Sequence, residues 1–136
     1  MGFSFEEIVL KEFKTSVIKQ TLSEVFNKGK NGEGQSTEQT SRIGVYALYY
    51  NNRLKKIGKA VCPGGIFKRM SQYYRGKDGS ISYITSRNRE AVQVQYFNLL
   101  TVKDCWAAEK FLQSMAYYEN EPMPWDDELN KVAPMN

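Results

Sequence analysis

Four side chains in this sequence could together break a phosphodiester bond. They are Tyr46 in Gly44-Val45-Tyr46, Lys56 in Lys56-Ile57-Gly58, Arg69, and Glu109. A phenol or an amine orients or deprotonates an attacking water. A planar guanidinium grips a phosphate through two parallel hydrogen bonds. One carboxylate suffices for Mg²⁺, which takes few protein oxygens and keeps much of its hydration. Histidine is absent from all 136 residues. That excludes histidine general bases, Ser-His-Asp triads, Cys-His nucleophile pairs and Cys2His2 zinc sites, and leaves proton transfer to Tyr, Lys, Asp, Glu or water.

Each of these residues also has a plainer reading. Tyr46 shares a strand face with Leu48 and Tyr50 by alternation. Lys56 falls on the facing strand of a hairpin whose turn lies midway between them, which places a cation near a phenol and favours the phenolate. The plain alternative is an aromatic-aliphatic contact with the ammonium in water. Gly58 points to the same face, where a strand glycine marks close approach of a backbone or ligand. Arg69 is followed one turn later by Tyr73, on a short helix where an arginine is otherwise simply solvated. Glu109 lies at the edge of an apolar arc made by Cys105, Ala108, Leu112, Met115 and Ala116. A carboxylate there needs a cation, either a metal or a basic side chain, unless it leans out to water or pairs with Lys110 or Gln113.

The elements that position these residues follow from local pattern. Ser4 with Glu7 three residues on forms a capping box. The apolar residues Ile8, Phe13, Val17, Leu22, Val25 and Phe26 then recur near helical spacing up to about Asn27, and Thr15-Ser16 is where a break would fall. Residues 28–41 are polar and glycine-bearing and read as a flexible linker. The chain therefore divides into an N-terminal helical arm with linker, 1–41, and a core domain, 42–136. Within the core, 42–50 and 54–61 read as a hairpin turning at Asn51-Asn52. A short helix covers 66–74, a third strand 90–98, and a long helix 101–119 opens on Thr101 as N-cap and stops before Pro122 and Pro124. The tail, Trp125 to Asn136, is expected to pack through Trp125 and Leu129.

Composition sets the partner class. The net charge is only +4, but Arg53, Lys55, Lys56, Lys59, Lys68, Arg69, Arg75 and Lys77 fall in one stretch without an acid. Tyr73 and Tyr74 interleave with them, which is the outline of a polyanion-binding face. The alternative is a solvated charged surface. Lys55, Lys59, Lys68, Arg75 and Lys77 are the expected nucleic-acid contacts. Cys62 and Cys105 are far apart and read as packed free thiols of a reducing cytoplasm. No apolar run approaches the ~18 residues of a membrane span.

Taken together, these segments resemble the GIY-YIG nuclease family. Gly44-Val45-Tyr46 matches the first motif, and Lys56-Ile57-Gly58 matches the second with lysine for its first tyrosine. Arg69 fits the family arginine, and Glu109 the metal-binding glutamate. Pro122-Met123-Pro124-Trp125-Asp126 is similar to a closing segment of several members, with Asp126 nearest to a late asparagine. The resemblance implies an α/β (α+β) domain with a three-stranded, mainly antiparallel sheet flanked by helices. It implies a DNA endonuclease using Mg²⁺ or Mn²⁺ and leaving 5′-phosphate and 3′-hydroxyl ends. Tyr46 would then be base or orienter, Lys56 its support, Arg69 the phosphate stabiliser, Tyr73 an aid to water activation, and Glu109 the metal ligand. Homing, restriction, repair and phage-type degradative roles all fit, and a homodimer is one route to double-strand cutting. Two rivals stand beside this: a non-catalytic nucleic-acid-binding module on the same scaffold, prompted by Lys56, and a protein-interaction domain that docks through the N-terminal helix.

Overall fold

The computed structural model describes residues 2–76 and 83–126. It is an α+β fold in which one antiparallel sheet is covered on both faces by helices. In chain order the elements are α1 (Phe5–Phe13), β1 (Ile18–Thr21), α2 (Leu22–Phe26), β2 (Gly44–Tyr50), β3 (Arg53–Ala60), α3 (Gly65–Arg75), a 3-10 turn (Arg89–Ala91), β4 (Gln93–Asn98) and α4 (Val102–Tyr118). The sheet order is β1-β4-β2-β3.

The hairpin forms as its residues dictate. Asn51 and Asn52 both take positive φ, 54° and 62°, the backbone that a tight two-residue connection requires. The register places Tyr46 opposite Gly58 and Leu48 opposite Lys56, with an irregularity between Leu48 and Tyr49. β2 is an interior strand, and Gly44 to Leu48 are all buried because each face meets a helical layer. On one face Tyr46, Leu48, Val94 and Tyr96 pack with Leu22 and Phe26 of α2 and Ile66, Met70 and Tyr73 of α3. On the other face Val45, Ala47, Ile57 and Phe97 pack with Phe5 and Val9 of α1 and Cys105, Ala108 and Leu112 of α4. α4 begins as expected, with the Thr101 hydroxyl accepting from the Asp104 N–H at 3.0 Å.

The N-terminal third departs from the sequence reading. The sheet has four strands, not three, and the additional one is β1. It lies inside the segment whose apolar spacing looked helical, and Ile18 to Thr21 pair with Tyr96 to Gln93. Thr21 then caps α2 in a full capping box with Glu24. Strand pairing wins here because four residues cannot sustain a helix alone, whereas β4 offers a ready ladder edge. Phe5, Val9 and Leu22 are fully buried, so the expected arm is packed into the same core as the hairpin.

The expected flexible linker is mostly exposed but anchored at its C-terminal end. Thr40 is buried, and the carbonyls of Arg42 and Thr40 accept from the N–H groups of Ile66 and Phe67. The reason lies in α3, whose N-cap is Gly64 and therefore offers no side chain to its first turn. Gly65 makes this close approach possible, since a Cβ there would overlap the Arg42 carbonyl. Leu129 and Lys77 lie outside the described residues. Among those described, no helix is long and apolar enough to cross a membrane.

Candidate functional site

A cleft of about 970 Å³ opens at β3, the edge strand beside α3 and α4. Tyr46, Lys56, Arg69, Tyr73 and Glu109 all line it. The first four come from the α3 face of the sheet. Glu109 comes from α4 on the opposite face and reaches the cleft past the β3 edge.

Two tyrosines form the floor. Their hydroxyls hydrogen-bond at 2.8 Å, and the rings meet edge to face at 6.0 Å. Both are almost fully buried. The Tyr46 ring lies over Gly58, so closely that a Cβ at 58 would sit 2.5 Å from the hydroxyl and 2.6 Å from Cζ. The glycine of Lys56-Ile57-Gly58 is therefore explained by the tyrosine of Gly44-Val45-Tyr46. Lys56 is a diagonal neighbour of Tyr46 on the same face, not its direct partner.

Arg69 stands over the Tyr73 ring at 4.8 Å and donates to Gln72 Oε1 at 3.0 Å. Burial opposes its charge, but the oxygens of Tyr46 and Tyr73 outweigh that and hold its pKa above the ordinary arginine value. Burial, and then the Tyr46 oxygen, push the Tyr73 phenol well above its usual range, against the pull of Arg69.

Glu109 has the cation partner its position demands. Lys59 Nζ lies 3.2 Å from Glu109 Oε1, and the two side chains are only 20 % and 13 % exposed. The same ammonium sits 3.7 Å from the centroid of the Trp106 ring. One turn on, Gln113 donates to the Ile57 carbonyl at 2.9 Å and to Asp126 Oδ2 at 3.3 Å. The Trp125 N–H donates to the Lys55 carbonyl at 2.9 Å. Together these cover part of the outer edge of β3, which would otherwise present bare carbonyls.

The remaining basic residues divide. Lys68 lines the cleft and is exposed, whereas Arg75 is exposed at the end of α3 and does not line it. Lys55 lies 6.0 Å from the Trp125 ring centroid. Lys59, expected as a phosphate contact, is held by Glu109 and Trp106. Cys62 is exposed on the cleft wall, and Cys105 is buried among apolar neighbours. Burial, with smaller contributions from Asp104 and Glu109, pushes the Cys105 thiol up to about 11.

The roles of Lys59, Trp106 and Gln113 at this site were missed at the level of sequence. One signal for Lys59 was present: two residues after Ile57, it shares that residue's face and so points toward α4. Among the described residues no group of three or more His, Cys, Asp or Glu converges. A closed zinc site, which takes four protein ligands, therefore has no donor set among the described residues, and the Glu109 carboxylate is paired with Lys59. Comparison with known protein families, characterised proteins and solved structures finds no match for this chain.

Proposed function

We propose that this protein is a divalent-metal-dependent DNA endonuclease of the GIY-YIG type. The observation that supports this reading is the shared cleft. Tyr46, Lys56, Arg69, Tyr73 and Glu109, drawn from β2, β3, α3 and α4, line one cavity together with the exposed Lys68. In this reading Arg69 grips the scissile phosphate and spreads its developing charge. Tyr73, whose pKa burial raises, is taken as the donor in the 2.8 Å hydroxyl–hydroxyl bond with Tyr46. The Tyr46 oxygen is then the acceptor that orients the attacking water, with Lys56 beside it. Glu109 would hold Mg²⁺, which when bound supplies positive charge at the leaving oxygen. The products would carry 5′-phosphate and 3′-hydroxyl ends.

The test is supercoiled plasmid with Mg²⁺ or Mn²⁺, wild type against Glu109→Ala. Wild type is expected to nick the plasmid, the nicks are expected to be sealed directly by a DNA ligase, and the variant is expected to lose activity. Intact plasmid under every metal, or equal cutting by the variant, overturns the reading.

One observation favours a second reading. Lys59 already neutralises Glu109 at 3.2 Å. In a non-catalytic nucleic-acid-binding module that pair would be permanent. Salt-sensitive DNA binding without cleavage, and no Mn²⁺ binding that depends on Glu109, would select this reading.

A further inference from the structure

The outer face of α4 carries aromatic residues with no place in the core. Trp106 is 51 % exposed, Tyr117 60 % and Tyr118 79 %. At 100° per residue, Trp106, Tyr117, Lys110 and Lys103 fall within one narrow stripe, and Tyr118 lies about 60° beyond it, its ring edge-on to Tyr117 at 6.0 Å. The two acids of the helix, Asp104 and Glu109, lie outside it on either side. The stripe is continuous with the cleft, because Trp106 lines both.

We propose that this stripe binds single-stranded nucleic acid leaving the cleft, with bases stacked on Trp106 and on Tyr117-Tyr118 and phosphates on Lys103 and Lys110. The inference rests on the nuclease reading and adds a substrate class to it: DNA with an unpaired segment beside the scissile phosphate. Three observations carry it. Trp106 is held from one side by the Lys59 ammonium, 3.7 Å from its centroid, which fixes the ring while leaving half of the residue open. Alternating aromatic and cationic side chains form a stacking platform that tolerates any base sequence. Trp106 and Tyr117 are separated by three helical turns, about 16 Å, which is the span of about five stacked nucleotides. A second copy of this chain fits the stripe less well. A two-fold contact through it would bring Lys103 and Lys110 toward their own counterparts, with no acid on the stripe to neutralise them.

The experiment is fluorescence anisotropy of a labelled oligothymidylate and of a labelled duplex hairpin, in EDTA at low salt, so that binding is read without cleavage. Trp106→Ala and the double variant Tyr117→Ala/Tyr118→Ala are compared with Trp106→Phe and with wild type, after circular dichroism shows each folded. Each alanine variant is expected to lower single-strand affinity about tenfold more than duplex affinity, the loss of a stacked base. Trp106→Phe is expected to recover most of it. Equal losses on both probes, or no loss, overturn the inference. So does a wild-type dimer in sedimentation that the tyrosine variant converts to monomer. The plasmid assay separates the two readings. Cleavage with unselective stripe variants removes the stripe alone, and selective single-strand binding without cleavage removes the nuclease reading alone.

Discussion

Replacing Gly58 by alanine tests the geometry on which the site depends. An added Cβ would stand 2.5 Å from Tyr46 Oη and 2.6 Å from Cζ, where ordinary contact needs about 3.5 Å. The ring must therefore shift by about 1 Å. That shift disturbs a ring that is 1 % exposed and whose hydroxyl is bonded to Tyr73 at 2.8 Å. Overpacking of this kind costs about 1–3 kcal/mol, and the lost hydrogen bond about 1 kcal/mol more. Alanine normally stabilises a strand by about 0.5–1 kcal/mol relative to glycine, which offsets part of this. The expected net loss is about 1–3 kcal/mol, read as a lower urea midpoint at unchanged slope. In a Tyr46→Ala background the obstruction is gone, and Gly58→Ala should cost nothing or stabilise. The double-mutant cycle should therefore give a coupling of at least about 1 kcal/mol. If the enzyme reading holds, the displaced tyrosine should also cut plasmid nicking about a hundredfold. A Gly58→Ala protein as stable as wild type, or an equal cost in both backgrounds, would refute the packing of Tyr46 on Gly58.

Lys59→Met should free Glu109 for a metal while leaving a part-buried carboxylate uncompensated. Mn²⁺ titration should show tighter binding, and stability should fall by about 1–3 kcal/mol; no change in either would mean the pair is idle. The Cys105 thiol is raised in the folded state from its ordinary 9 to about 11, so the unfolded chain releases its proton first. The stability this neutral thiol contributes is complete below pH 9 and is lost as pH rises to 11, at a slope of up to about 1.4 kcal/mol per pH unit. Urea melts across that window should show a shallower decline for Cys105→Ala, and an unchanged slope would contradict it. Removing residues 2–16 takes Phe5 and Val9 from the core, each worth about 2–5 kcal/mol, so the remainder should lack a cooperative melt; a sharp transition would show that this segment is dispensable.

Much of the local architecture was legible in the sequence, because it is written in short-range pattern. The Asn51-Asn52 turn, the caps at Ser4 and Thr101, the extents of α3 and α4 and the strand at β4 each depend on neighbours within a few residues. So does the position of Glu109 at the rim of an apolar arc, for which a basic side chain was one of the expected partners. The identity of that cation did not follow, because Lys59 lies 50 residues away and meets Glu109 only when β3 and α4 pack. β1 was hidden for the same reason. Its four residues carry no strand signal of their own, and their ladder partner is β4, more than about 70 residues further along the chain. The glycine-bearing stretch 28–41 looked free because its anchors are carbonyl groups, which no side-chain pattern records, and their partners are the uncapped N–H groups of α3. Sequence alone thus determined the hairpin, α3, β4 and α4 and which side chains each of them presents. Only the tertiary structure decided that Tyr46, Arg69 and Glu109 share a cleft, since that depends on two helices from opposite faces meeting at one sheet edge.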